Sequence, residues 1–86
     1  MKIYVLTCWY AQWNMGDTEI HNEVFTSLDR ATARLRECYN EDLNNNDFVY
    51  DYELHDRYYW ITVENDQDGA VEYRGEITEH EIEEVK

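Results

Sequence analysis

The chain contains no proline, three glycines and one serine. Without proline, no position is barred from a helix or a strand ladder, and no proline-rich spacer separates two folding units. With no repeat or linker either, the 86 residues read as one domain spanning 1–86. Three glycines are too few for a glycine-rich phosphate loop, and Ser27 has no nucleophile elbow around it. Cysteine is equally scarce. Cys8 and Cys38 lie in separate segments without CxxC spacing, whereas a secreted miniature domain usually carries four or more. Both read as reduced, buried thiols in a cytosol rather than as a disulfide. The apolar run after Met1 is too short to span a bilayer, and no small-residue cleavage site follows it.

Basic residues are also few. Seven stand against 20 acids, for a net charge of −13. Residues 1–36 hold four acids (Asp17, Glu19, Glu23, Asp29) and four bases (Lys2, Arg30, Arg34, Arg36), so the first part is neutral. Residues 37–86 hold 16 acids against Arg57, Arg74 and Lys86, and carry the whole excess. Such segregation predicts an acidic face. Direct nucleic-acid binding is disfavoured because phosphates would be repelled, and the partner implied is basic.

Hydrophobic residues make up 43% and aromatics 15%, including eight Tyr and three Trp, which is the composition of a folded chain. Residues 2–10 form an apolar, β-branched and aromatic first strand. Asn14 to Asp17 supplies turn chemistry, and a second strand runs from about Thr18 to Thr26 with Ile20 and Val24 on one face. Thr26 and Ser27 can cap a helix, Asp29 favours its first turn, and Leu28, Ala31, Leu35, Cys38 and Tyr39 form a single apolar stripe. Asn44 to Asp47 ends it.

The remainder alternates. Phe48, Tyr50, Tyr52 and Leu54 interleave with Val49, Asp51, Glu53 and His55, predicting a half-buried strand with one acidic face. His55 to Arg57 reads as a tight turn, and Tyr58 to Glu64 as a strand with Tyr59, Ile61 and Val63 on one side. Asp68-Gly69 marks a hairpin, and Ala70 to Ile77 a last strand with Val71, Tyr73 and Ile77 inward. Thr78 to Val85 stays open: Thr78 and Glu81 fit a helix capping box, yet the segment can equally extend the strand or fray. The fold class is α+β, an antiparallel sheet with one helix packed on one face, in the order ββαβββ.

No cofactor or metal site emerges. His21, His55 and His80 fall on different elements without ligand spacing. Glu64 to Gly69 opens like a calcium loop, but position twelve is Gly75 rather than a bidentate Glu, and a hairpin turn is the simpler reading. Among 20 carboxylates some pair falls at glycosidase separation by chance, so catalysis is not expected. The informative constellation is acidic and aromatic: Asp51, Glu53, Asp66, Asp68, Glu72, Glu76, Glu79 and Glu81 with Tyr52 and Tyr58, as a partner-binding surface. Tyrosines beside carboxylates suit arginine, through cation–π and charge contacts. A compact chain of this length has a diameter of roughly 30 Å, and 13 charges match about 22 Å of duplex DNA.

The opening Met1-Lys2-Ile3-Tyr4-Val5-Leu6, the stretch Val24 to Ala31 and the acidic, tyrosine-rich β tail resemble small acidic orphan proteins of phages and mobile elements, of the anti-CRISPR, DNA-mimic type. The likeness is one of build over the full length, without a family motif. It implies a cytoplasmic inhibitor, in a host bacterium, of a nucleic-acid-binding defence effector such as a nuclease, acting by occupying its basic site. The alternative is an acidic accessory or assembly module, homodimeric through the first strand or the tyrosine-rich edge.

Overall fold

The computed structural model describes residues 1–12, 18–65 and 69–83. The elements run β1 (Lys2–Gln12), β2 (Thr18–Phe25), α1 (Leu28–Asn44), β3 (Val49–Leu54), β4 (Tyr58–Asn65) and β5 (Gly69–Glu81). The strands form one antiparallel sheet in the order β2-β1-β5-β4-β3, so the ββαβββ, α+β reading holds. The turn expected at Asn14 to Asp17 lies outside the described residues.

The ambiguous tail resolves as strand. β5 continues to Glu81 because β1 offers it a ladder along its whole length, from Gln12↔Val71 to Lys2↔Glu81. The pairing is closed by the Met1 amine donating to the Ile82 carbonyl at 3.1 Å and the Ile82 amide donating to the Met1 carbonyl at 2.8 Å. A continuous ladder satisfies each amide that an isolated one-turn helix would leave unpaired. The same pairing makes β1 an interior strand, with β2 on one side and β5 on the other, so a dimer through the first strand has no free edge to use.

Helix α1 is specified locally. Ser27 is its cap, extended at φ −125°, with Oγ accepting from the Arg30 amide at 3.4 Å. The Asn45 amide donates to the Glu41 carbonyl at 3.0 Å and ends it. Ala31, Leu35 and Tyr39 are buried, and Leu28 and Cys38 pack at the border. They meet Leu6 of β1, Tyr59, Ile61 and Val63 of β4, and Val71 and Ile77 of β5. Each fully buried large side chain among these contributes on the order of 1.5–3 kcal/mol.

Strand β3 departs from expectation. A bulge between Val49 and Asp51 shifts the register, so Val49 pairs with Val63 and shares the helix-side face with Tyr52 and Leu54. Val49 is half-buried, while Phe48 and Tyr50 are exposed. From Tyr50 to Leu54 the strand is exposed on both faces rather than half-buried, because it is the sheet's edge and lies beyond the helix. The molecule measures 55 × 23 × 15 Å, longer than the roughly 30 Å of a compact chain, since strands of 11 and 13 residues set its length.

One close approach is diagnostic. Gly75 lies opposite Tyr59 in the ladder, and a Cβ built on Gly75 would come within 3.0 Å of three atoms of that ring. The ring cannot swing away freely, being 2% exposed, packed edge-on against Tyr39 at 5.6 Å, and bonded through its hydroxyl to Asp42 at 2.9 Å. Gly75→Ala is therefore expected to cost about 1–3 kcal/mol, lowering the melting temperature by roughly 4–8 °C for each kcal/mol. Thermal melts followed by circular dichroism check this. In a Tyr59→Leu background the same substitution should cost much less, and an equal cost in both backgrounds would refute the clash.

Candidate interaction surface

The alternation of strands gives the sheet two unlike faces. One packs on α1. The other has no layer over it among the described residues, and the sheet order divides it lengthwise. On β1 and β2 it presents Ile3, Val5, Thr7, Trp9, Ile20, Asn22 and Val24, all uncharged, with Thr7 Oγ1 donating to Asn22 Oδ1 at 2.9 Å. On β5, β4 and β3 it presents Glu72 and Glu76, then Glu64, then Asp51 and Glu53. The single base among these three strands is Arg74, whose Nε donates to Glu72 Oε1 at 2.7 Å. With strands about 4.8 Å apart and residues of one face about 6.6 Å apart along a strand, these carboxylates stand within one short patch. The neutral and acidic parts of the chain have become neutral and acidic halves of one face.

Two bases on the helix side, Arg34 and Lys2, are engaged. Arg34 holds Glu23 at 3.1 Å, Glu37 at 3.1 Å and Glu41 at 3.9 Å, and the hydrogen bonds to Glu23 first and Glu37 raise its already high pKa further. Lys2 stands 4.0 Å from Glu79. Exposed pairs of this kind add at most a few tenths to about 1 kcal/mol each. Their consequence is distribution: positive charge offsets acids on the covered side and leaves the open face acidic.

Aromatic rings run through the acidic half. His55 stacks on Tyr58 at 4.2 Å, and Tyr58 lies nearly parallel to Trp60 at 5.9 Å. His55 Nε2 also faces the Glu53 carboxylate. Trp9, Arg74 and Trp60 are register partners across β1, β5 and β4. Together with Asp51, Glu72 and Glu76 they line an open depression of about 540 Å³. The arrangement can offer π faces and carboxylates at once to a guanidinium or ammonium group.

Of the residues singled out from sequence, Asp51, Glu53, Tyr58, Glu72 and Glu76 are brought together on this face. Tyr52, Glu79 and Glu81 fall on the opposite pleat, with Glu79 beside Lys2. Their separation follows from parity: Tyr52 shares the helix-side pleat with its register partner Ile61, and Glu79 and Glu81 share it with Ile77. Asp66 and Asp68 lie outside the described residues. Trp9, Trp60, Glu64 and His55 were not singled out. The alternation that put Tyr59, Ile61 and Val63 on one side of the strand Tyr58 to Glu64 already left Trp60 and Glu64 on the other; Trp9 needed the β1–β5 pairing.

A second, smaller hollow of about 370 Å³ opens on the covered side, lined by Cys8, Trp9, Tyr10, His21, Asp42, Tyr59 and Tyr73. Behind its lining residue Cys8 lies Cys38 of α1, the two free, half-buried thiols in contact with each other. Cys8 and His21 are cross-strand partners, and Asp42 is near, but this is not an activated nucleophile. Burial pushes the Cys8 thiol up and the Cys38 thiol up to about 12, keeping both protonated near neutrality. Among the described residues no cluster of His, Cys, Asp or Glu is suited to hold a metal ion, and no helix is long and apolar enough to cross a membrane.

Fold and surface together define an α+β protein with one covered and one uncovered sheet face, the latter half acidic and aromatic. Comparison with protein-family models, curated proteins and solved structures gives no match.

Burial raises the Asp42 carboxyl pKa, only partly offset by the Tyr59 hydroxyl donating to it. A carboxyl raised in this way binds its proton more tightly folded than unfolded. Its cost to stability is full above the folded pKa and vanishes below the unfolded value of about 3.9. Asp42→Asn keeps an acceptor for Tyr59 and removes the charge, so its melting temperature relative to the parent should rise as the pH increases from the unfolded value of about 3.9 through the raised folded pKa. A pH-independent difference would contradict the burial cost. Mutual repulsion on the open face predicts also that the parent's melting temperature climbs between about 10 and 150 mM NaCl; a flat or falling trend would show the acids already compensated.

Proposed function

We propose that this protein is an acidic binding protein that inhibits a nucleic-acid-binding protein, such as a host defence effector nuclease, by occupying its basic nucleic-acid site. The observation that carries the reading is the segregation of Asp51, Glu53, Glu64, Glu72 and Glu76 on one uncovered face, interleaved with Tyr58 and Trp60. A phosphate-binding groove presents arginine and lysine to regularly spaced negative charge, and carboxylates on adjacent strands supply a comparable spacing. Over the whole 55 Å length the net charge is more dilute than in duplex DNA. The local cluster therefore supports the reading better than the total charge does. Aromatic rings beside the acids add stacking for arginine planes, which a purely solubilising acidic surface does not need.

The test is retention of proteins from a bacterial lysate on the immobilised parent and on the Asp51→Lys, Glu53→Lys, Glu72→Lys, Glu76→Lys variant. These side chains point away from the core, so circular dichroism should show the variant folded. The parent should retain a protein that duplex DNA displaces, with association slowed at least about tenfold by the four reversals at low salt and much less at high salt. Reversal at Glu37 and Asp47, off this face, should change little. Equal loss from both sets, or retained protein that DNA does not displace, would overturn the reading in favour of an assembly module.

A further inference from the structure

We infer that the outer edge of β3 is a strand-addition site for an extended partner segment alternating basic and apolar residues. Among the described residues β3 ends the sheet and pairs only with β4, so its other edge presents unpaired backbone donors and acceptors. Sheets normally blunt such an edge with charged side chains, above all lysine, with proline, a bulge or a covering element. Here Val49–Leu54 contains no lysine or proline, and its charges are the carboxylates Asp51 and Glu53 alone, which deter acidic strands but not a basic one. The bulge at Tyr50 sits at one end, leaving Asp51 to Leu54 in regular register. The exposed side chains are the wrong kind for a solvated edge: Tyr50 is 76% exposed, Tyr52 59% and Phe48 73%.

The two pleats of this edge ask for different side chains. Tyr52 and Leu54 point to the helix side but lie beyond α1, as an apolar shelf continuing the core. Asp51 and Glu53 point to the open face, where Glu53 is the register partner of Trp60. A strand laid alongside would bring its alternate side chains within about 4.5–5.5 Å of these pairs. Apolar residues at one parity would cover the shelf, and arginine or lysine at the other would meet carboxylate and indole.

Charge selects this occupant over a second copy of the chain. Two β3 strands paired with each other would place Asp51 and Glu53 of both copies in one row, on molecules of net charge −13 each, with no base on the strand to offset them. Like charges directly opposite are destabilising. A basic segment removes that repulsion and fits the same backbone. The inference takes the sign of the partner's charge from the proposed function and its binding mode from the edge alone.

The probe is a synthetic ten-residue peptide alternating arginine and valine, compared with one N-methylated at alternate amides and with one carrying glutamate for arginine. Fluorescence anisotropy gives affinity, amide hydrogen exchange gives location, and sedimentation gives the state of the free protein. The arginine peptide should bind and slow exchange in β3. N-methylation, which keeps every charge but blocks one ladder edge, should weaken binding at least about tenfold. The glutamate peptide should not bind. Asp51→Lys with Glu53→Lys should weaken the arginine peptide more than Glu72→Lys with Glu76→Lys. Equal binding of the methylated peptide, or protection confined to β4 and β5, would overturn strand addition while leaving the acidic-face function standing. Edge binding without any DNA-displaceable partner in lysate would do the reverse. A stable dimer protected along β3 in the free protein would refute the basic occupant.

Discussion

An α-helix with its side chains is about 10–12 Å across, while five strands about 4.8 Å apart span roughly 20 Å. One helix therefore cannot cover this sheet, and most of the structure follows from that shortfall. α1 sits over the middle of the sheet, where Leu6, Ile61, Val71 and Ile77 meet Ala31, Leu35 and Tyr39. One face of the sheet and the helix-side pleat of β3 are left to solvent. The uncovered positions carry carboxylates and aromatic rings on β3, β4 and β5, and uncharged, mainly apolar side chains such as Ile20 and Val24 on β1 and β2.

The core beneath the helix is small and tight. Tyr59 spans it, its ring over Gly75 and against Tyr39, its hydroxyl on Asp42 and 4.0 Å from Cys8 Sγ. Burying a phenol and a carboxyl in so thin a layer raises both pKa values, and the fold tolerates this because each satisfies the other. That small residue opposite a large one lets a two-layer fold close around an aromatic without a second helix.

Charge and topology are coupled. β1 and β2 come from the neutral part of the chain and β3, β4 and β5 from the acidic part. Because β5 docks against β1, the halves meet at one seam instead of interleaving. Arg34 and Lys2 engage acids on the helix side, so the open half keeps its excess. The result is a surface whose negative charge rises in one direction across the sheet, which orients any basic partner that approaches it.

Local signals determined the elements. A cap at Ser27 with one apolar stripe specified α1, and period-two alternation specified β4 and the inward face of β5. Both depend on neighbours a few residues away, so the sequence by itself carried them. The same alternation placed Asp51, Glu53, Tyr58, Glu72 and Glu76 on one face. Tertiary pairing decided the rest. Thr78 to Glu81 became strand because β1 was long enough to receive it. Val49 exchanged places with Tyr50 because a bulge shifted the register, and β3 became an exposed edge because it lies beyond the helix. Cys8 and Cys38 met, and Trp9 joined Trp60 across Arg74, only through strand order and helix docking. Nothing in a residue's immediate neighbours records which distant strand will lie beside it, so periodicity gives a side chain's face but not its company.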